Sequence, residues 1–173
     1  RVYRAYNYAV TSSEFDNICL INSDMILSKD WLSNLLKHYD GKTIPCSRLV
    51  ESGKMTSGLY GMSKNFGRKP SEIRSDQWES FATEISEDRI ETGGLYMPCV
   101  FSKQIFMSSG GFPEGNVFKD PDDSLVIGCP NNRPLYESGD LYFFKKLNRM
   151  FSLRHVTVFD SLVYHIQEGE KDE

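Results

Sequence analysis

The sequence predicts an α/β sandwich whose mixed sheet is mainly parallel and flanked by helices. Short apolar runs such as Ile18-Cys19-Leu20-Ile21 stop abruptly at polar side chains, as a buried strand does when it delivers polar groups at its C-terminal end. Amphipathic stretches with helical spacing alternate with these runs. The 173 residues suffice for one domain with a real core.

Taken in order, Val2, Tyr6, Ala9 and Val10 recur at helical spacing, which predicts a helix over 2–10 ended by Ser12 and Ser13. A strand follows over 18–21. Ser28 is a suitable N-cap for a helix over 29–39, with Leu32, Leu35, Leu36 and Tyr39 as its stripe and Gly41 as its stop. A strand is expected over 43–50, then a loop over 52–69 rich in Gly, Ser and Lys. Trp78, Phe81, Ala82 and Ile85 mark one face of a helix over 71–87. Gly93-Gly94 introduces a strand from Leu95 to Phe101, and a short helix closes at Gly110-Gly111. Residues 112–138, rich in proline and polar side chains, read as a long functional loop. Ser138 or Gly139 opens a helix with Phe143, Phe144, Leu147, Met150 and Phe151 inward. A final strand covers 154–160, and the charged tail after Glu168 is expected to fray.

Composition narrows the function classes. Twenty Lys and Arg stand against 24 Asp and Glu, with the basic residues scattered, which argues against a nucleic-acid surface. No apolar run approaches the roughly 20 residues of a membrane span, and no signal-peptide pattern is visible. The start at Arg1 rather than Met reads as a fragment. None of Cys19, Cys46, Cys99 and Cys129 forms a C-x-x-C pair, so zinc is not expected. Cys19 and Cys99 read as reduced, buried thiols, which points to the cytoplasm, with peripheral membrane association compatible.

Four constellations offer chemistry. Asn22-Ser23-Asp24 ends a strand where open α/β folds bind ligands, although such a carboxylate also serves simply as a turn former. Asp140 heads an aromatic-rich helix, either as a general base or as a complement to the helix dipole. His165 follows the last strand and is available to join Asp24 on one metal, whereas His38 and His155 read as structural or surface groups. The run Asp120-Pro121-Asp122-Asp123 suits a hard cation in charge but lacks the spacing of an EF-hand.

In order and spacing these features resemble the inverting GT-A glycosyltransferases of the family 2 type, over about Arg4 to Glu170. Asn7-Tyr8-Ala9 followed by Ile18 to Asp24 looks like the family's Arg-Asn-x-Gly helix leading into its D-x-D strand, with Trp31-Leu32 at the next helix start. Gly93-Gly94 to Phe101 and Gly110-Gly111-Phe112-Pro113-Glu114 look like its strand, helix and Gly-Gly-Phe-Asp-Glu turn. Gly139-Asp140-Leu141-Tyr142-Phe143 is similar to Glu-Asp-x-Asp-Phe, and Tyr164-His165 to its terminal histidine. Asn22 stands for the first aspartate of D-x-D, Gly139 for the glutamate of Glu-Asp, and Tyr6 and Ala9 for the Arg and Gly of the first motif.

The resemblance implies one partial GT-A domain over 1–173 lacking the opening nucleotide-binding strands. Residues 1–40 would form the metal and donor region, and 93–170 the acceptor and catalytic region. It implies transfer of a sugar, with inversion, from a nucleotide-diphosphate donor to a hydroxyl of a carbohydrate, glycolipid or protein acceptor. Asp140 is then the catalytic base, Asp24 and His165 hold Mn²⁺ or Mg²⁺, and Asn22, Asp24 and Asn7 contact the donor. Glu114, Asp120 and Gly94 contact the acceptor. The competing readings are a non-catalytic carbohydrate-binding or scaffold domain derived from such an enzyme, and a nucleotidyltransferase of similar fold. The latter would want a Gly-rich phosphate loop with a nearby basic residue, and none is visible.

Overall fold

A computed structural model describes residues 2–53, 58–128 and 132–166. In chain order the elements are α1 (Val2–Ser12), β1 (Asn17–Leu20), β2 (Met25–Leu27), α2 (Trp31–Leu36), β3 (Thr43–Glu51), β4 (Met62–Ser63) and a single 3₁₀ turn (Pro70–Glu72). There follow α3 (Ser75–Ile85), β5 (Ile90–Thr92), β6 (Cys99–Ser102), α4 (Lys103–Ser109), β7 (Val117–Lys119), β8 (Leu125–Ile127), β9 (Leu135–Glu137), α5 (Gly139–Phe151) and β10 (Arg154–His165). The chain is α/β, with a mixed sheet and flanking helices, in two compact units. One comprises Arg1–Ile18 with Phe101–Leu153, the other Cys19–Val100 with Arg154–Glu173.

The second unit is built on the long strands β3 and β10. Among the described residues seven strands lie in the order β1-β6-β3-β10-β2, with β4 beside β3 and β5 beside β10. The β3–β10 and β3–β4 pairs are parallel, but β2 and β5 run antiparallel to β10, and β6 antiparallel to β3. The sheet is therefore mixed rather than mainly parallel. Its antiparallel members include two strands of three residues, too short to show a period in sequence.

Two apolar clusters hold that unit. Leu35 of α2 packs on Val100, Val156 and Val158. Trp78, Phe81 and Ala82 of α3 pack on Val50, Phe66, Leu162 and Tyr164. Side chains alternate along a strand, so Val50 and Tyr164 turned towards α3 leave Glu51 and His165 pointing to the opposite side. The β3–β10 ladder shifts register between Val158 and Leu162, where Phe159, Asp160 and Ser161 bulge out. The bulge is tied down: Asn34 Nδ2 donates to the Asp160 carbonyl at 2.7 Å, and Ser161 Oγ donates to the Trp31 carbonyl at 2.8 Å.

The first unit packs α1, α4 and α5 around an aromatic stack. Phe143 lies 4.0 Å between ring centroids from Phe112 and 5.5 Å from Phe106, and Tyr3 stacks on Phe112 at 5.6 Å. The small antiparallel sheet β8-β7-β9 completes this unit.

Several expectations are revised. Residues 112–138 are not one irregular loop but carry β7, β8 and β9, whose three-residue length left no periodicity to read. The helix expected over 29–39 is confined to Trp31–Leu36, and its N-cap is Asp30 at φ 62 rather than Ser28. Leu32 and Leu36 of its predicted stripe are exposed, as is Met150 of α5. The strand expected from Leu95 begins only at Cys99, and the one expected over 154–160 continues to His165. Residues 18–21 form no fully buried strand: β1 lies at the sheet's edge with alternate residues exposed, Cys19 among them. Cys99 is buried, and Cys129, residues 54–57 of the predicted loop and the tail after Glu168 lie outside the described residues. No helix among the described residues is long and apolar enough to cross a membrane.

Candidate functional site

Three strand ends converge in the second unit. Glu51 is the last residue of β3, His165 the last of β10, and Asp24 immediately precedes β2. The parallel register sets His165 beside Glu51, and the antiparallel register sets it beside Met25. Backbone bonds lock the junction: Ser52 N–H donates to the His165 carbonyl, and Ile166 N–H to the Asp24 carbonyl, each at 3.0 Å.

The imidazole of His165 lies between two carboxylates. Its Nε2 is 3.2 Å from Asp24 Oδ2, and its Nδ1 is 3.3 Å from Glu51 Oε2. Asp24 is half exposed, whereas the Glu51 side chain is 1% exposed. Both Glu51 carboxylate oxygens and His165 Nδ1 have no other partner among the described residues. A small ring rotation costs far less than leaving a buried carboxylate unpaired. Burial opposes the imidazolium, but Glu51 and then Asp24 outweigh it, so the His165 pKa is raised above its ordinary value of 6.5.

The 3.2 Å between His165 Nε2 and Asp24 Oδ2 is a hydrogen-bond distance, and it is also compatible with two ligands of one cation. Two ligands each about 2.1–2.2 Å from an ion, at right angles, stand about 3 Å apart, close to the 3.2 Å observed. Among the described residues no group of three or more His, Cys, Asp or Glu side chains converges as a ligand set. The protein side of such a site is thus two donors, with bound ligand and water left to complete it. Asn22 is half-buried in the turn between β1 and β2, two residues before Asp24. Gly94, in the same unit, packs against β10. A Cβ there would lie 1.9 Å from Thr157 Oγ1, and its φ is +101°, so glycine is required for close approach.

Asp140 belongs to the first unit, in the first turn of the thirteen-residue α5, where the helix dipole favours a carboxylate. Its Oδ1 accepts from Leu141 N–H at 2.8 Å. The segment around Gly115 abuts this helix start. Asn116 Oδ1 accepts from Gly139 N–H at 3.1 Å, and a Cβ on Gly139 would lie 2.6 Å from the Gly115 carbonyl oxygen and 2.5 Å from the Tyr3 ring. Glycine at 139 is therefore a packing requirement.

The remaining candidates are engaged locally. Asn7 donates to the Phe112 carbonyl and accepts from its N–H, each at 2.9 Å, so both ends of its amide clamp the chain at Phe112 rather than stand free for a donor. Glu114 pairs with Arg4 at 2.7 Å on an exposed face. Asp120 pairs with Arg133, and Asp123 with Lys119 at 2.6 Å, while Asp122 accepts from Ser124 N–H at 3.0 Å. The acidic run is thus the self-satisfied turn between β7 and β8. His155 is structural: it stacks on Tyr96 at 4.8 Å, and its Nε2 lies 2.8 Å from the Leu95 carbonyl oxygen.

Sequence reasoning missed Glu51. Its only signal was a carboxylate closing the apolar run Leu49-Val50, and nothing in the sequence shows which residue stands beside it on β10. Comparison with known proteins gives no matching family model and no matching curated protein.

Proposed function

We propose that the chain serves an inverting, divalent-metal-dependent glycosyl transfer from a nucleotide-diphosphate sugar to an acceptor hydroxyl, with a GT-A-type arrangement of its sheet. The observation that carries this reading is the 3.2 Å approach of Asp24 and His165, 141 residues apart in sequence. The resemblance read from the sequence demands that pair, and neither residue's local sequence requires it.

In this reading Asp24 and His165 hold Mn²⁺ or Mg²⁺, the imidazole favouring Mn²⁺. The bound ion supplies Lewis-acid stabilisation of the charge that grows on the leaving diphosphate. Asp140, in the first turn of α5, accepts the proton of the attacking hydroxyl, because a neutral hydroxyl is a poor nucleophile. Asn22 contributes to the donor pocket. Glu114, whose present partner Arg4 forms an exposed ion pair with it, and Asp120, in a half-buried pair with Arg133, exchange these partners for sugar hydroxyls.

The test is a screen of nucleotide-diphosphate sugars with Mn²⁺ and Mg²⁺ on the full-length protein, reading donor consumption and metal-dependent donor binding. Consumption that is lost on chelation and in Asp24→Asn is the expected result. Metal-dependent binding of no donor at all, or consumption unchanged in Asp24→Asn, overturns the reading.

A further inference from the structure

Glu51 is a carboxylate deep in a sheet with no Lys or Arg against it among the described residues, and the proposed mechanism does not use it. Among the described residues, the polar side chain closest to its carboxylate is His165, with Nδ1 3.3 Å from Oε2. A buried carboxyl group left without a polar partner is costly, and a proton on His165 Nδ1, 3.3 Å from Oε2, supplies that partner. A neutral ring has only one such proton. With it directed to Glu51, Nε2 turns a lone pair towards Asp24 Oδ2, and two acceptors then face each other 3.2 Å apart. Two acceptors at that distance repel one another unless a second ring proton or a metal ion lies between them.

We infer that Glu51 is the positioning residue of the Asp24–His165 pair, accepting the Nδ1 proton and so presenting Nε2 as a metal donor beside the Asp24 carboxylate. Histidines that bind metals generally give their second ring N–H to a carboxylate or carbonyl, which sets tautomer and orientation. Here the backbone supplies the alignment. β3 and β10 run parallel with Glu51 and His165 in register, and Lys64 N–H donates to the Glu51 carbonyl at 3.0 Å, holding the strand end. The usefulness of that orientation rests on the metal role proposed above, but the orientation itself does not.

The experiment therefore separates the two. The ring ¹⁵N shifts of His165 are read in the metal-free 173-residue chain at a pH where the imidazole is neutral. Mn²⁺ affinity is then measured by electron paramagnetic resonance in wild type, Glu51→Gln and Glu51→Leu. Wild type should show protonated Nδ1 and bare Nε2. Glu51→Gln, which keeps an acceptor oxygen, should retain that tautomer and most of the affinity. Glu51→Leu should lose the tautomer, with affinity falling about 10–100-fold. A wild-type ring protonated on Nε2 overturns the inference, and so does a folded Glu51→Leu with unchanged tautomer. Should Glu51→Leu not fold, the wild-type tautomer and the Gln variant still decide. Absence of Mn²⁺ binding in wild type, with the expected tautomer present, supports the Glu51 assignment and overturns only the proposed function.

Discussion

The Asp140 amide donates a hydrogen bond to the Tyr3 hydroxyl at 3.2 Å, joining the first turn of α5 to a helix 137 residues earlier. Burial, followed by the Asp140 charge, raises the Tyr3 pKa above 10.0, so the hydroxyl stays neutral and available. Tyr3→Phe strands a helix-terminal N–H and is expected to cost about 1 kcal/mol. Gly139→Ala meets a ring that has some freedom and a backbone carbonyl that does not, and about 1–3 kcal/mol is expected. Urea denaturation of the two variants checks both, and a neutral Gly139→Ala contradicts the packing described here.

Asp140→Asn separates a catalytic from a structural role. Amide and carboxylate are nearly isosteric, so the fold and donor binding should persist while turnover falls on the order of 10²–10⁴-fold. Asp24→Asn should instead weaken metal-dependent donor binding as well. Turnover of Asp140→Asn within a few-fold of the parent would remove Asp140 as the base.

Two histidines give stability opposite dependences on pH. Burial lowers the His155 pKa below 6.5, against a smaller opposing effect of the Leu95 carbonyl. The unfolded chain therefore takes up its proton first, and His155 stability, complete above 6.5, is lost as pH falls through the lowered folded value. The His165 pKa is raised, so its contribution is complete below 6.5 and lost as pH rises through the folded value. Urea midpoints measured from about pH 5 to 8 should flatten on the acid side in His155→Gln and on the alkaline side in His165→Gln. The reverse assignment would contradict both environments.

Tyr164 is buried, donates to the Gly67 carbonyl at 2.6 Å and accepts from Phe66 N–H at 3.0 Å. Tyr164→Phe leaves two backbone groups unsatisfied and should cost about 1–3 kcal/mol. Trp78→Ala in the same cluster should cost about 3–5 kcal/mol. A thermal or urea melt gives both, and equal losses would mean that the hydroxyl carries more than two ordinary bonds.

How much was legible follows from element length. β3, α3 and α5 run for 9, 11 and 13 residues, long enough to show an apolar run or a helical stripe, and all three were expected close to where they lie. β2, β5 and the strands β7, β8 and β9 have three residues each and are defined by pairing alone. Asp24 and His165 were marked by order and spacing. Glu51 was not, because its meaning lies in a register between β3 and β10. Asn7 was read as a donor contact because sequence cannot show that its amide is clamped to Phe112, 105 residues away.

The bulge at Phe159-Asp160-Ser161 separates β10 into two stretches with independent phase. Below it the strand is aligned with Thr43–Ser47, above it with Arg48–Glu51. His165 lies four residues beyond Ser161, about 13 Å along an extended chain. One residue inserted between Leu162 and His165 would carry the imidazole to the α3 face and away from Glu51. Length changes within the bulge can instead be absorbed there, at the expense of its ties to Asn34 and Trp31. The short kink in one strand thus acts as a slack joint, and four residues beyond it tolerate none.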